Sequence, residues 1–431
     1  MTPRSLVTPQ RSAWLRTAPP APATTAVAAG FSTQTLVLGG GIAGLGAAIR
    51  CAELGHEACV LEAEEIGFGA SGRSGGQLIP GLKHAPSALV RMLGEEIGTR
   101  LARFAGEAPT ETFRLIERYR IACDAQQNGW LQPATDATNL KTVAARARAW
   151  EAFSGVKLPV LDRQAVRALT GSDAFVGGWV DPRGGQVQPL SYTRGLARVA
   201  TSLGVRAFSH SRASALRLRD GRWSVQANGH EIVAERLLIC TNGYGALLGA
   251  PYAESFIPAS SIMVSTEPLS AALRQEVLPS GLPFSDARRL LNYCRLDPEG
   301  RFLIGARGSF GLQEPERGFD GLRRSAVRLF PALAGVRWED AWGGLFALTT
   351  DFLPHVHQPA PNAWMLVGCN GRGMAMMSMA SRTLAELATT DGAAGSPLPV
   401  TPLPRIPLHA FRRPGLELAT LWYRARDRLG W

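Results

Sequence analysis

Gly39, Gly41 and Gly44 follow directly on the apolar run Thr35-Leu36-Val37-Leu38, the order that a dinucleotide pyrophosphate requires. Gly39 permits a tight turn out of a strand, Gly41 lets the backbone approach phosphates, and Gly44 lets the next helix pack closely. That helix is expected from Ala43 to Leu54, with Ile42 near its apolar face, and its first N–H groups and positive dipole end face an anion. A second apolar run, Ala58-Cys59-Val60-Leu61, ends at Glu62. An acid about twenty residues past the glycines accepts hydrogen bonds from ribose hydroxyls and disfavours a 2′-phosphate. Glycines alone make ordinary turns; strand, turn, helix, strand and acid in register make a dinucleotide site.

Two further strands run into small-residue turns. Leu237-Leu238-Ile239-Cys240 leads into Thr241 and Asn242, a second contact for the phosphates, and Trp364-Met365-Leu366-Val367 leads to Gly371-Arg372-Gly373-Met374, where another helix begins. The stretch from Ile66 to Gln77, with Ala70, Ser71, Arg73, Ser74, Gly75 and Gly76, is too glycine-rich for a helix or a central strand and brings backbone close to something.

The elements that must position these turns follow from periodicity. Helices are expected over 86–125 and 140–153, and another from Tyr192 to Leu203. A meander is expected from Ala215 to Val233, turning at Asp220-Gly221 and Asn228-Gly229, and a second antiparallel sheet from Ile257 to Gly308. Met374, Met376, Met377 and Met379 read as helix packing.

A chain of 431 residues exceeds what one core usually holds, so two domains are expected. Hydrophobic content of 45% and charged content of 19% fit a globular enzyme, with no uninterrupted apolar run of roughly 18 residues to span a membrane. The net charge of +11 comes almost entirely from dispersed arginines, the lysines being Lys83, Lys141 and Lys157, so no basic run for nucleic acid is expected. Six cysteines lie without CxxC or zinc-like spacing, which points to buried free thiols, no metal, and a cytoplasmic setting. The acid-free first 30 residues, broken by Pro19, Pro20 and Pro22, read as a surface arm. Residues 414–431 read as an amphipathic tail, with Leu418 and Trp422 on one face and Arg424, Arg426 and Arg428 around it, expected to dock on the protein itself rather than on a membrane.

Three strand-to-glycine turns far apart in sequence suggest one cofactor gripped by discontinuous segments, a pattern typical of FAD. With the Gly69-Ala70-Ser71-Gly72-Arg73 loop, Gly184-Gly185-Gln186, Trp342-Gly343-Gly344 and the Asn370-Gly371-Arg372-Gly373 turn, the chain resembles the D-amino-acid oxidase-type FAD-dependent oxidoreductases, and within them the gamma-glutamylputrescine oxidase-like branch. The resemblance implies an α/β fold: a doubly wound FAD-binding domain from residues 31–85, 186–250 and 336–400, and a substrate domain with a largely antiparallel sheet from 86–185 and 251–335. Residues 1–30 are then the arm and 401–431 the tail.

The resemblance further implies that Glu62 holds the ribose, that Ala70 to Gln77 line the flavin, that Gly343 and Gly344 touch the cofactor, and that Gly371 to Met374 aim donors at its pyrimidine edge. Oxidation of a primary or secondary amine or amino acid is expected: hydride passes to flavin N5, the imine hydrolyses, and oxygen is reduced to hydrogen peroxide. No cysteine stands just before Asp351, where some relatives attach flavin, so FAD is expected to be non-covalent, Cys369 being the remaining candidate. Lys83 is the expected cation for oxygen reduction. Tyr293 and Arg295, on one face of a strand, are expected to pack an amine and bind a carboxylate, with a satisfied sheet surface as the alternative. A dehydrogenase using a quinone or protein acceptor, or an oxidase of modified tRNA, are the rival readings.

Overall fold

The computed structural model describes residues 3–8, 11–390, 395–412, 414–416 and 422. Phe31–Leu38 runs through a nine-stranded mixed sheet. Ala58–Leu61 and His230–Ile239 flank it in parallel, Arg206–Phe208 and Ala363–Val367 extend the sheet in parallel beyond them, and His355–Ala360 adds an antiparallel strand. The expected meander is present as Ser214–Arg219, Arg222–Ala227 and His230–Ile239.

Side-chain alternation explains the continuous apolar runs. Val37, Val60, Leu238 and Leu366 pack under helices that include Ile42–Glu53 and Gly373–Thr389, while Leu36, Leu38, Leu61, Ile239 and Met365 pack on the other face with Trp223, Val225 and Phe256. A sheet covered on both faces leaves no polar side to show in the sequence.

The second sheet has eight strands, in the order Trp338–Leu348, Ile257–Pro268, Arg301–Arg307, Asn292–Leu296, Phe284–Ser285, Trp130–Ala134, Gly177–Asp181 and Val160–Asp162. One face buries Ile262, Val264, Cys294, Phe302 and Ile304 in a core that Phe319 and Leu322 of helix Glu316–Leu329 complete. The other face carries Met263, Leu303, Trp342 and Tyr293, packed with Trp14 and Leu190.

Several expectations are corrected here. The helix expected over 86–125 divides into Pro86–Leu93 and Glu95–Arg118, because Gly94 adopts φ +82° between them. The segment around Gly343 and Gly344, read as part of the FAD-binding domain, pairs along Ile257–Pro268 in the eight-stranded sheet. The amino-terminal segment is anchored at its start rather than lying wholly on the surface: Leu6, Ala13 and Trp14 are fully buried, and Arg4–Ser5 pairs with Gln313–Glu314. All six cysteines are buried and free, as expected. Most of the amphipathic tail lies outside the described residues; Trp422 is exposed. Among the described residues, no helix is long and apolar enough to cross a membrane.

Candidate active site

The first glycine turn is held by contacts that leave no room for side chains. Gly39 adopts φ +109°, and a Cβ there would stand 2.9 Å from the Cys240 carbonyl oxygen; a Cβ on Gly44 would overlap the Gly39 carbonyl. Glu62 accepts the Gly40 N–H at 2.7 Å and the Glu64 N–H at 3.0 Å. Burial pushes its carboxyl upward in pKa, and those N–H bonds oppose the shift. Each carboxylate oxygen keeps a further lone pair, so the expected ribose contact remains open to it. Ser71 Oγ accepts the Ile42 N–H at 3.0 Å, and a Cβ on Gly41 would stand 2.7 Å from it. Ala43 follows in the first turn of Ile42–Glu53, which contains no acidic residue.

That helix packs along Gly373–Thr389. A Cβ on Gly46 would run into Ser381, and Arg50 pairs with Glu386 at 2.8 Å, so contacts advance along both chains together and the helices are parallel. Their positive ends therefore lie at the same end of the sheet. The second helix begins without a side-chain cap or an acid, after Gly371 at φ +78° and the tightly packed Gly373. Asn242 ties the turns together: its Oδ1 accepts the Ala347 N–H at 3.0 Å and its Nδ2 donates to Cys369 Sγ at 3.4 Å. The Thr241 backbone N lies near Gly39, while its buried Oγ1 lies against Gly245 and has no hydrogen-bond partner among the described residues. Two parallel helix starts free of acids, one with its Ile42 N–H taken by Ser71, present their remaining N–H donors beside glycines that leave no room for side chains, and this arrangement fits an FAD pyrophosphate.

Other expected cofactor residues are committed to protein. Arg73 donates to the carbonyls of Leu6 at 2.9 Å, Gly343 at 3.0 Å and Thr8 at 3.0 Å, and lies over the Phe68 ring. Gly344 makes room for it, a Cβ there standing 3.1 Å from Arg73 Cδ. Ser74 Oγ donates to Met374 Sδ at 3.0 Å, linking the glycine-rich loop to the start of Gly373–Thr389. Gln77 ties the end of the glycine-rich loop to the eight-stranded sheet: Nε2 donates to Phe284 and Cys294 carbonyls, both at 3.1 Å, while Oε1 accepts from Trp130 and Ser285.

Of the residues expected to do chemistry, Arg295 is placed differently from its expected role. It is buried, and its guanidinium donates to the carbonyls of Val187 at 2.6 Å, Gly75 at 3.2 Å and Leu296 at 3.2 Å. Nε and Nη1 are thereby held by backbone carbonyls, the arrangement of the satisfied-sheet alternative. Tyr293 lies against Gly75, where a Cβ would stand 2.8 Å from Tyr293 Cε2, and its hydroxyl shares a 2.7 Å hydrogen bond with Ser261. Burial raises its pKa well above the usual phenol value, so it stays protonated.

Arg372 is also turned from the pyrimidine-edge role: it donates to the Pro80 and Gly81 carbonyls at 3.2 and 3.4 Å and lies over Trp130. Arg146 donates to the Leu82 carbonyl, so two guanidinium groups pin the loop that presents Lys83. Lys83 is exposed, yet enough protein surrounds it that desolvation, reinforced by Arg372, Arg307 and Arg146, lowers its pKa to about 8. Its ammonium lies 4.2 Å from the Phe352 ring centroid. His84 bonds the Asp351 carbonyl at 2.7 Å and His355 pairs with the Asp351 carboxylate at 3.0 Å, both fixing the wall beside Lys83. Sequence reading missed Trp14, Trp130, Arg307 and Phe352; nothing in their local spacing marks them, because they reach the site from separate segments.

The family model described as DAO, FAD dependent oxidoreductase, matches residues 34–387. Gamma-glutamylputrescine oxidoreductase of Escherichia coli K12 is 30% identical over 93% of this chain and 94% of its own. A probable oxidoreductase of Rhizobium meliloti is 28% identical over 99% of this chain and 100% of its own. The crystal structure of glycine oxidase from Geobacillus kaustophilus superposes with a TM-score of 0.72 at 20% identity, covering 83% of this chain and 94% of that one. The glycine turns, the parallel helix pair and this match together show that the chain belongs to the DAO family of FAD-dependent oxidoreductases.

Proposed function

We propose that this enzyme oxidises the carbon–nitrogen bond of a primary or secondary amine or amino acid, with non-covalent FAD as cofactor and dioxygen as electron acceptor. The observation that carries the reading is the junction of the two sheets. Tyr293 of one sheet lies against Gly75 of the cofactor loop, while Lys83 stands beside the turn that ends at Gly371.

Residues 31–85, 186–250 and 355–389 are assigned to cofactor binding, and the eight-stranded sheet to substrate. Thr241 and the starts of Ile42–Glu53 and Gly373–Thr389 hold the phosphates and the electron-rich edge of the ring system; Glu62 holds the ribose. When bound, FAD supplies the hydride acceptor and passes the electrons on to dioxygen. The protein's part is electrostatic. The positive field of Lys83, Arg307 and Arg372 disfavours an ammonium and so favours the neutral amine that oxidation requires. Lys83, while protonated, stabilises negative charge developing on oxygen. Burial raises the Cys369 thiol and keeps it protonated, which supports non-covalent attachment.

The relatives include D-amino acid dehydrogenases at 26% identity, so the acceptor is the feature to test first. Acid precipitation should release the yellow colour into the supernatant, and peroxide should appear with one class from a panel of polyamines, gamma-glutamyl amines, N-methyl amino acids and amino acids. Turnover only with an artificial acceptor under air would replace the oxidase reading by the dehydrogenase one. Colour retained in the pellet would overturn non-covalent binding.

A further inference from the structure

Trp14 belongs to the segment expected to be a surface arm, yet its indole N–H donates to the Ser74 carbonyl at 2.9 Å, inside the glycine-rich cofactor loop. The neighbouring carbonyls of that loop are held as well. Trp342 Nε1 donates to Arg73 O at 2.9 Å, Arg295 Nη1 to Gly75 O at 3.2 Å, and the Val187 N–H to Gly76 O at 2.8 Å. Four consecutive carbonyls are thus fixed by donors from four separate places in the chain.

A trans peptide points its N–H opposite to its C=O. Holding Ser74 O toward Trp14 therefore turns the Gly75 N–H away from Trp14, and holding Gly75 O toward Arg295 turns the Gly76 N–H away from Arg295. Arg295 lies 5.2 Å over the Trp14 ring, so both carbonyls face one side and both N–H groups the other. The Gly76 N–H reaches only Ser74 Oγ at 3.4 Å, and the Gly75 N–H has no acceptor among the described residues. Ser74 Oγ meanwhile donates to Met374, at the start of the second cofactor helix.

Trp14 is itself firmly seated. Ser12 Oγ accepts the Leu15 N–H at 3.2 Å and caps the short helix Ala13–Thr17, Gln188 Nε2 donates to Trp14 O at 2.9 Å, and the ring meets Trp342 edge to face at 6.0 Å. We propose that Trp14 is a positioning residue for the flavin: its indole N–H orients the Ser74–Gly75 peptide so that the Gly75 N–H is presented to the ring system. The proposal rests on FAD occupying the glycine turns.

Trp14→Phe keeps a smaller aromatic ring in place and removes the donor, and the size change is matched in the comparison variant. Compared with Trp223→Phe, which deletes an indole bond to the Pro361 carbonyl elsewhere, it should weaken FAD binding to apoprotein about three- to tenfold, the scale of one net hydrogen bond. It should also shift the visible flavin band and move the midpoint potential to more negative values, since a lost N–H donor favours the electron-poor state. If Trp14→Phe does not fold, Ser12→Ala, which loosens the helix without touching the ring, should produce the same changes at smaller size. Unchanged FAD affinity, spectrum and potential, whether or not the melting temperature falls, would leave Trp14 a packing residue only and overturn the proposal. Wild-type protein that takes up no FAD would instead overturn the cofactor reading beneath it.

Discussion

At the scale of single residues, similar side chains divide into those that face the site and those that hold it. Lys83 and Arg295 were both expected to act, and their surroundings separate them. Lys83 is the protonatable cation at the wall, and its pKa of about 8 sets a test. The ammonium form dominates below pH 8 and is lost above it, so reoxidation by oxygen should slow as pH rises through about 8. Lys83→Met should leave flavin reduction intact, slow reoxidation by about a hundredfold, the scale of losing one preorganised charge, and abolish that pH dependence in stopped-flow traces. Reoxidation unchanged in rate and pH profile would remove Lys83 from the mechanism. Arg295, by contrast, satisfies three carbonyls, that of Val187 in a buried bond. Arg295→Met should cost about 2–4 kcal/mol in denaturant unfolding by leaving acceptors unpaired, with little change in KM. A large rise in KM at unchanged stability would restore its role as a carboxylate binder.

At the scale of elements, the cofactor turn depends on how closely one helix approaches the strand before it. The Gly44 Cα lies so near the Gly39 carbonyl that Gly44→Ala requires backbone movement, which no rotamer change relieves. The variant should lose FAD from the purified protein and about 3 kcal/mol of stability, the upper range for overpacking. Gly321→Ala, in helix Glu316–Leu329 with open space around it, should instead stabilise by about 0.5–1 kcal/mol through helix propensity, as thermal melts would show. The contrast separates glycines required by geometry from those that are not. Arg372 teaches the same lesson from the other side: its place in an Asn-Gly-Arg-Gly turn suggested a ligand contact, whereas the turn directs its guanidinium onto Pro80 and Gly81.

At the scale of the whole molecule, the segments proposed to hold the cofactor, 39–77, 241–242 and 369–374, are supported from the amino-terminal segment and from both sheets. Ligand that binds only the folded state stabilises it by RT ln(1 + [L]/Kd), about 2.7 kcal/mol at a hundredfold excess over Kd. Because the site draws on such distant segments, FAD should raise the melting temperature of apoprotein in a single cooperative transition monitored at both tryptophan and far-ultraviolet signals. Two separate transitions, only one of them responsive to FAD, would show that the sheets unfold independently.

The glycine turn, Glu62, the meander and the buried cysteines were readable from the chain alone, because each is set by spacing within about twenty residues or by alternation along one strand. The burial of Trp14, the three carbonyls on Arg295, the diversion of Arg73 and Arg372, and the cations around Lys83 were not. Those contacts join residues tens to hundreds of positions apart, and a buried guanidinium looks the same in sequence as one facing a substrate. Local backbone chemistry determines the glycine turn proposed to take FAD; only the packing of two sheets and the amino-terminal segment around one loop decided which polar groups are left over to meet it.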